Sequence, residues 1–130
     1  MKENEIGAIV IDCAARVHQE LGSGLLETVY ETELAQRIGQ RGLAVERQVS
    51  IPITFYGIKF EDGFHADLIV EHQVLLELKS VEEISKMNEK QVLTYLRLTG
   101  IKLGYLLNFG KRLMKDGVAR IINEPLSSSQ

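Results

Sequence analysis

Near the N-terminus, Ile6, Ile9, Val10, Cys13, Val17 and Leu21 recur at helical spacing, which predicts an amphipathic helix over roughly 4–20. Gly22-Ser23-Gly24 stops it, and a second helix is expected from about Leu25 to Gln40, with Gly42 just beyond as its cap. The pattern then shortens to the period of strands. Val45–Phe55 runs to a turn at Tyr56-Gly57, Ile58–Glu61 to a second turn at Asp62-Gly63, and Phe64–Val70 pairs with Val74–Lys79 around Glu71-His72-Gln73. A long helix is expected over about Glu82–Leu98, ending at Thr99-Gly100, then a buried strand over Ile101–Phe109 and an edge strand at Val118–Ile122. Helix, helix, strands, helix, strand, strand is the order of an α/β fold, a mixed sheet flanked by helices. We expect one domain over residues 1–124 and a disordered tail over 125–130, where Ser127-Ser128-Ser129 stand.

Composition narrows the function classes. Hydrophobic residues make up 45% and charged residues 25%, an ordinary balance that excludes fibrous and disordered chains. No apolar run approaches the roughly 18–20 residues needed to span a bilayer, so no membrane association is expected. Met1 to Glu5 carry none of the apolar stretch of a secretory signal. The single cysteine, Cys13, lies among apolar residues without an intramolecular partner, so a reducing, cytoplasmic location is the expectation. A net charge of −3 argues against coating DNA by phosphate neutralisation. It does not argue against an enzyme that meets nucleic acid locally, because a metal bound by carboxylates brings its own positive charge.

Several polar residues stand where the pattern asks for apolar ones. In Val74-Leu75-Leu76-Glu77-Leu78-Lys79 the strand period puts Glu77 and Lys79 on one face. Asp67 lies in the preceding strand, and the turn decides whether it meets them. A two-residue turn at His72-Gln73 sets Asp67 and Glu77 facing opposite ways. A three-residue loop over 71–73 sets Asp67 opposite Glu77 and His65 opposite Lys79. Two carboxylates so close repel unless a cation lies between them, and a hard divalent ion such as Mg²⁺ suits oxygen ligands. The plainer alternative is a solvated face with an alternating Glu–Lys pair. On the second helix Glu27 falls on the arc of Tyr30, Leu34 and Ile38, whereas Glu31 is expected in solvent. On the long helix Gln91 shares the arc of Ile84, Met87, Tyr95 and Leu98, with Gln91 and Tyr95 one turn apart. His65 and His72 carry weaker signals, and His18 is expected to face the C-terminal dipole of the first helix.

With these residues in view, the chain resembles a known family. Gly24-Leu25-Leu26-Glu27-Thr28-Val29-Tyr30 is similar to the signature of the GxxExxY proteins, a branch of the PD-(D/E)XK nuclease-like superfamily. Asp67, nine intervening residues and Glu77-Leu78-Lys79 resemble the superfamily's D…ExK core, with Ala66 in place of its proline. Gln91-Val92-Leu93-Thr94-Tyr95 resembles the QxxxY motif that follows that core, and Asn88 stands where many relatives are expected to carry histidine. The resemblance implies a restriction-endonuclease-like αβββαβ core and a Mg²⁺- or Mn²⁺-dependent nuclease acting on DNA or RNA. It implies that Asp67, Glu77 and the Leu78 carbonyl hold the metal, with Glu27 completing the shell directly or through water. Lys79 would position and help deprotonate the attacking water, and Gln91, Tyr95 and Tyr30 would meet the substrate. The rival expectation is a non-catalytic nucleic-acid-binding or protein-assembly module on the same scaffold, as a homo-oligomer or with a partner protein.

Overall fold

A computed structural model describes residues 1–123, the side chains of Phe55 and Asp62 apart. The tail expected over 125–130 lies outside the described residues. The elements are α1 (Glu3–Leu21), α2 (Glu27–Gln40), β1 (Val45–Phe55), β2 (Ile58–Val70), β3 (Val74–Lys79), α3 (Lys86–Thr99), β4 (Leu103–Asn108), a 3₁₀ turn (Met114–Gly117) and β5 (Val118–Ile122).

The five strands form one sheet in the order β1-β2-β3-β4-β5. Neighbours run antiparallel except β3 and β4, which are parallel and joined by the crossover through α3. The sheet separates two apolar clusters. Leu68, Leu76, Leu78, Tyr105 and Leu107 pack on one side with α1 and α2 through Ile6, Val10, Val17, Tyr30 and Leu34. Ile69, Leu75 and Leu106 pack on the other with Val92, Tyr95 and Leu96 of α3. The fold is the restriction-endonuclease-like α/β arrangement. Covered on both faces, β3 is buried from Val74 through Leu78, as the near-continuous apolar run of a central strand requires. Glu77 is the acid inside that run.

Two expectations need correcting. β2 runs unbroken through Asp62-Gly63, where a turn was expected. Gly63 serves close packing instead of a turn, because a Cβ there would lie 2.6 Å from the Ile53 Cδ1 across the strand pair. The long helix starts at Lys86, not Glu82, because Ser85 caps it: its Oγ accepts from Asn88 N at 3.2 Å while Asn88 Oδ1 accepts from Ser85 N at 3.0 Å. Asn88 is thereby occupied in the cap. Gly100, at φ 75°, ends the helix in the left-handed conformation, as its position implied.

A forked strand pair and its carboxylates

The loop between β2 and β3 has three residues, with Glu71 and His72 both at positive φ (53° and 54°). Glu71 pins it to the start of β1, its N–H donating to Ala44 O at 2.8 Å and its carboxylate accepting from Ala44 N. The ladder pairs Val70 with Val74, Ile69 with Leu75 and Leu68 with Leu76, so the next step sets Asp67 opposite Glu77. There the strands fork and side chains replace the ladder. Asp67 N–H donates to Glu77 Oε1 at 3.0 Å, and Leu78 N–H donates to Asp67 Oδ2 at 2.8 Å. Each acid thus satisfies a backbone donor on the other strand.

The β1–β2 pair also breaks here. Pairing skips the Gln48/Asp67 step, and Gln48 holds φ 48°, unusual for a residue with a Cβ. Val45 packs with the α1–α2 cluster, whereas Val49 and Ile51 join the α3 cluster, so the alternation of faces slips at Gln48. The slip turns the Gln48 amide toward the acids, where Nε2 donates to Glu31 Oε1 at 2.6 Å and to Asp67 Oδ1 at 3.2 Å. Arg47 completes the chain, donating from Nε and Nη2 to Glu31 Oε2 at 3.2 and 3.1 Å.

Electrostatics follow from this crowding. Burial raises the Glu77 carboxyl to about 8, and the Asp67 charge adds to the rise. Asp67 is also raised, mainly by burial, against the lowering effect of the Leu78 N–H. Lys79 lowers both, though among the described residues no ion pair within 4.0 Å joins it to either acid. Burial, then the charges of Glu77 and Asp67, push the Tyr95 phenol to about 12. Gln91, one turn earlier, is half-buried beside it.

Other expected positions differ. Glu27 is exposed in the first turn of α2, and the acid of that helix that enters the interior is Glu31, 6% exposed, where solvent was expected. Glu27 still lies near enough to raise Glu77 by its charge. Tyr30 is fully buried and unavailable to substrate. Its hydroxyl donates to Gly22 O at 2.6 Å and accepts from Leu25 N at 3.1 Å, and its ring stacks on Phe109 at 4.4 Å. Its work is to fasten the loop that leads into α2, and Ser80 Oγ, donating to Leu25 O at 2.7 Å, ties that loop to the end of β3. Met87 and Leu98 are 70% and 43% exposed, so the buried stripe of α3 is Val92, Tyr95 and Leu96. His18 Nε2 meets the Lys111 carbonyl at 2.7 Å, away from its own helix end. His65 is exposed opposite Ser50.

The side-chain donors at the fork are all oxygen, the carboxylates of Asp67 and Glu77. Such donors suit a hard divalent cation, which would also relieve the repulsion between the two acids. Among the described residues no three of His, Cys, Asp or Glu stand assembled as metal ligands, so Glu27 is not part of a preformed cage. None of the described helices is long and apolar enough to cross a membrane.

A mixed sheet flanked by helices, with opposed acids where its central strands fork and a lysine one alternation further on, defines a nuclease-type α/β scaffold. The chain matches the family model of the PD-(D/E)XK nuclease superfamily over residues 4–121 and belongs to that superfamily. No curated protein and no solved structure matches it.

Proposed function

We propose that the chain is a Mg²⁺- or Mn²⁺-dependent nuclease of the GxxExxY branch that hydrolyses phosphodiester bonds of DNA or RNA. The observation that carries this reading is the pair of carboxylates, half-buried Asp67 and buried Glu77, facing one another at the fork. Asp67, Glu77 and the Leu78 carbonyl would hold the cation, with Glu27 at the rim reached through water. Bound there, a divalent ion supplies polarisation of the scissile phosphate and a water of lowered pKa. Lys79, on the same face as Glu77, donates to the attacking water and by its positive charge favours loss of that water's proton to solvent. Tyr95 stays a neutral phenol at working pH and donates to a phosphate oxygen, and Gln91 lines the approach beside it. Gln48 and Arg47 act one step away: Arg47 holds Glu31, and Gln48, donating to both Glu31 and Asp67, sets the orientation of Asp67.

The test is cleavage of labelled single-stranded, duplex and branched DNA and of RNA, with EDTA, Mg²⁺ and Mn²⁺. Metal-dependent cleavage that Lys79→Ala abolishes is expected. A folded wild type that cleaves none of them, or cleavage that Lys79→Ala and Asp67→Asn leave intact, would overturn the reading in favour of a binding or assembly module.

A further inference from the structure

On the N-terminal side of Leu68 the strand β2 does not pair with β3, so β1 and β2 continue as a two-stranded arm alongside the N-terminal half of α3. Ile51 pairs with Phe64 and Ile53 with Phe60, so these side chains line one face of the arm, the one that packs toward α3 at its base. Further out that face is uncovered: Phe60 is 51% exposed and Ile58 62%. Facing its base, Met87, Lys90, Gln91 and Thr94 join Phe64 around a cavity of about 250 Å³. That is smaller than the roughly 300–1,000 Å³ of a pocket for a drug-sized ligand, and it suits a single flat ring. The Phe64 ring lies 4.8 Å from that of Tyr95, which packs in one cluster with Ala66, next to Asp67, and Leu75, on the strand face of Glu77. The cavity therefore opens one ring away from the carboxylates. Lys86 and Lys90, exposed one helical turn apart on α3, place positive charge along its rim.

Apolar and aromatic side chains in a row, bordered by lysines and leading to a phosphodiester-cleaving site, are the parts of a stacking platform for unpaired bases. We propose that the arm and α3 form a groove for single-stranded nucleic acid, one base entering between Phe64 and Met87 and the next stacking on Phe60. This inference rests on the nuclease reading and specifies its substrate as an unpaired strand, in which bases are free to splay apart.

The sequence contains no tryptophan, so Phe60→Trp introduces a sole reporter of stacking. The full-length F60W protein, in EDTA to prevent hydrolysis, is titrated with oligothymidylate, oligouridylate and a blunt duplex of equal length. Ile122→Trp, at the opposite edge of the sheet, is the control. We expect single strands to quench the F60W indole by about half and the I122W indole not at all, because quenching requires ring contact. Quenching in the deoxy or the ribo arm supports the groove and identifies the sugar it accepts. By anisotropy, Phe60→Ala should weaken single-strand binding roughly tenfold, about 1.4 kcal/mol, and Phe60→Tyr should restore it.

Binding without quenching, equal affinity for duplex, or a spectral change driven by protein concentration alone would overturn the proposal, the last by showing that a second copy covers the surface. Cleavage abolished by Lys79→Ala, alongside unchanged single-strand affinity in Phe60→Ala, overturns the groove and leaves the nuclease standing. Absence of both cleavage and binding overturns both.

Discussion

Replacing Glu77 with Gln probes the site without knowledge of its substrate. The amide keeps the oxygen that accepts from Asp67 N–H and mimics the protonated acid. A carboxyl raised from 4.5 to about 8 binds a proton in the folded state that the unfolded chain has released. Stability is therefore fully present below about pH 4.5 and is lost as pH rises through about 8. At about 1.4 kcal/mol per unit the full shift amounts to about 5 kcal/mol, and relaxation of water and chain around the charge reduces this to about 2–4 kcal/mol. That is a large part of the 5–15 kcal/mol expected of a whole domain. Urea denaturation in EDTA from pH 5 to 9 should show wild type losing stability with pH, and Glu77→Gln losing about 2–4 kcal/mol less. The two should agree near pH 5. Millimolar Mg²⁺ or Mn²⁺ should restore wild type at pH 8 and leave Glu77→Gln nearly unmoved. Parallel curves for the two proteins, or a Glu77→Gln protein that is weaker at every pH, would refute the reasoning and make Glu77 a charged partner of Lys79.

Further outcomes follow from the same geometry. Lys79→Ala should lower hydrolysis by at least about 10²-fold, because the group that positions the attacking water is lost, while calorimetry finds metal affinity unchanged or improved. Glu31→Ala should cost about 1–2 kcal/mol in a urea titration, because it removes the acceptor of Gln48 and of Arg47, which stays half-exposed and bonded to Thr32. Glu27→Ala should stay within about 0.5 kcal/mol in the same assay and act on turnover alone. Gly110→Ala should destabilise by about 1–3 kcal/mol, because its Cβ would overlap the Val81 backbone, which Asn108 Oδ1 also holds through Val81 N.

What could be read beforehand was what depends on short-range rules. Strand parity gave two choices for the hairpin, and the three-residue loop with Asp67 opposite Glu77 is the one adopted. Helix periodicity located α1 and α2 to within two residues, and Gly100 marked the end of α3. Apart from the start of α3, which the local Ser85–Asn88 cap decides, the misses share a cause, namely partners distant in sequence. Glu27 and Glu31 lie one turn apart on the same helix, and only the arrival of Arg47 and Gln48 from β1 makes the second of them the buried one. Gln48 was invisible because nothing local demands its positive φ; the slip of both strands at the fork does. Asp62-Gly63 mimicked a turn because composition cannot tell a glycine that bends the chain from one that makes room for Ile53. Tyr30 belongs to a motif with Glu27, and its hydroxyl turns out to hold the loop before that acid.

The cross-bonding of the two acids has a consequence for how such a protein would drift over generations. Asp67 and Glu77 terminate the β2–β3 ladder by accepting backbone N–H groups that would otherwise stay buried and unpaired. Selection for foldability therefore guards both positions even in a lineage that no longer cleaves anything. The mildest way to silence the site is to exchange acid for amide, which removes the charge and preserves the acceptor. Descendants that have abandoned catalysis should accordingly carry Asn or Gln at these two places, whereas Ala or Val there would open the seam of the sheet. Keeping an oxygen at the fork records ancestry in the fold. Keeping an ionisable acid there, at the cost in stability that the raised Glu77 carboxyl carries near neutral pH, is what the proposed metal site requires.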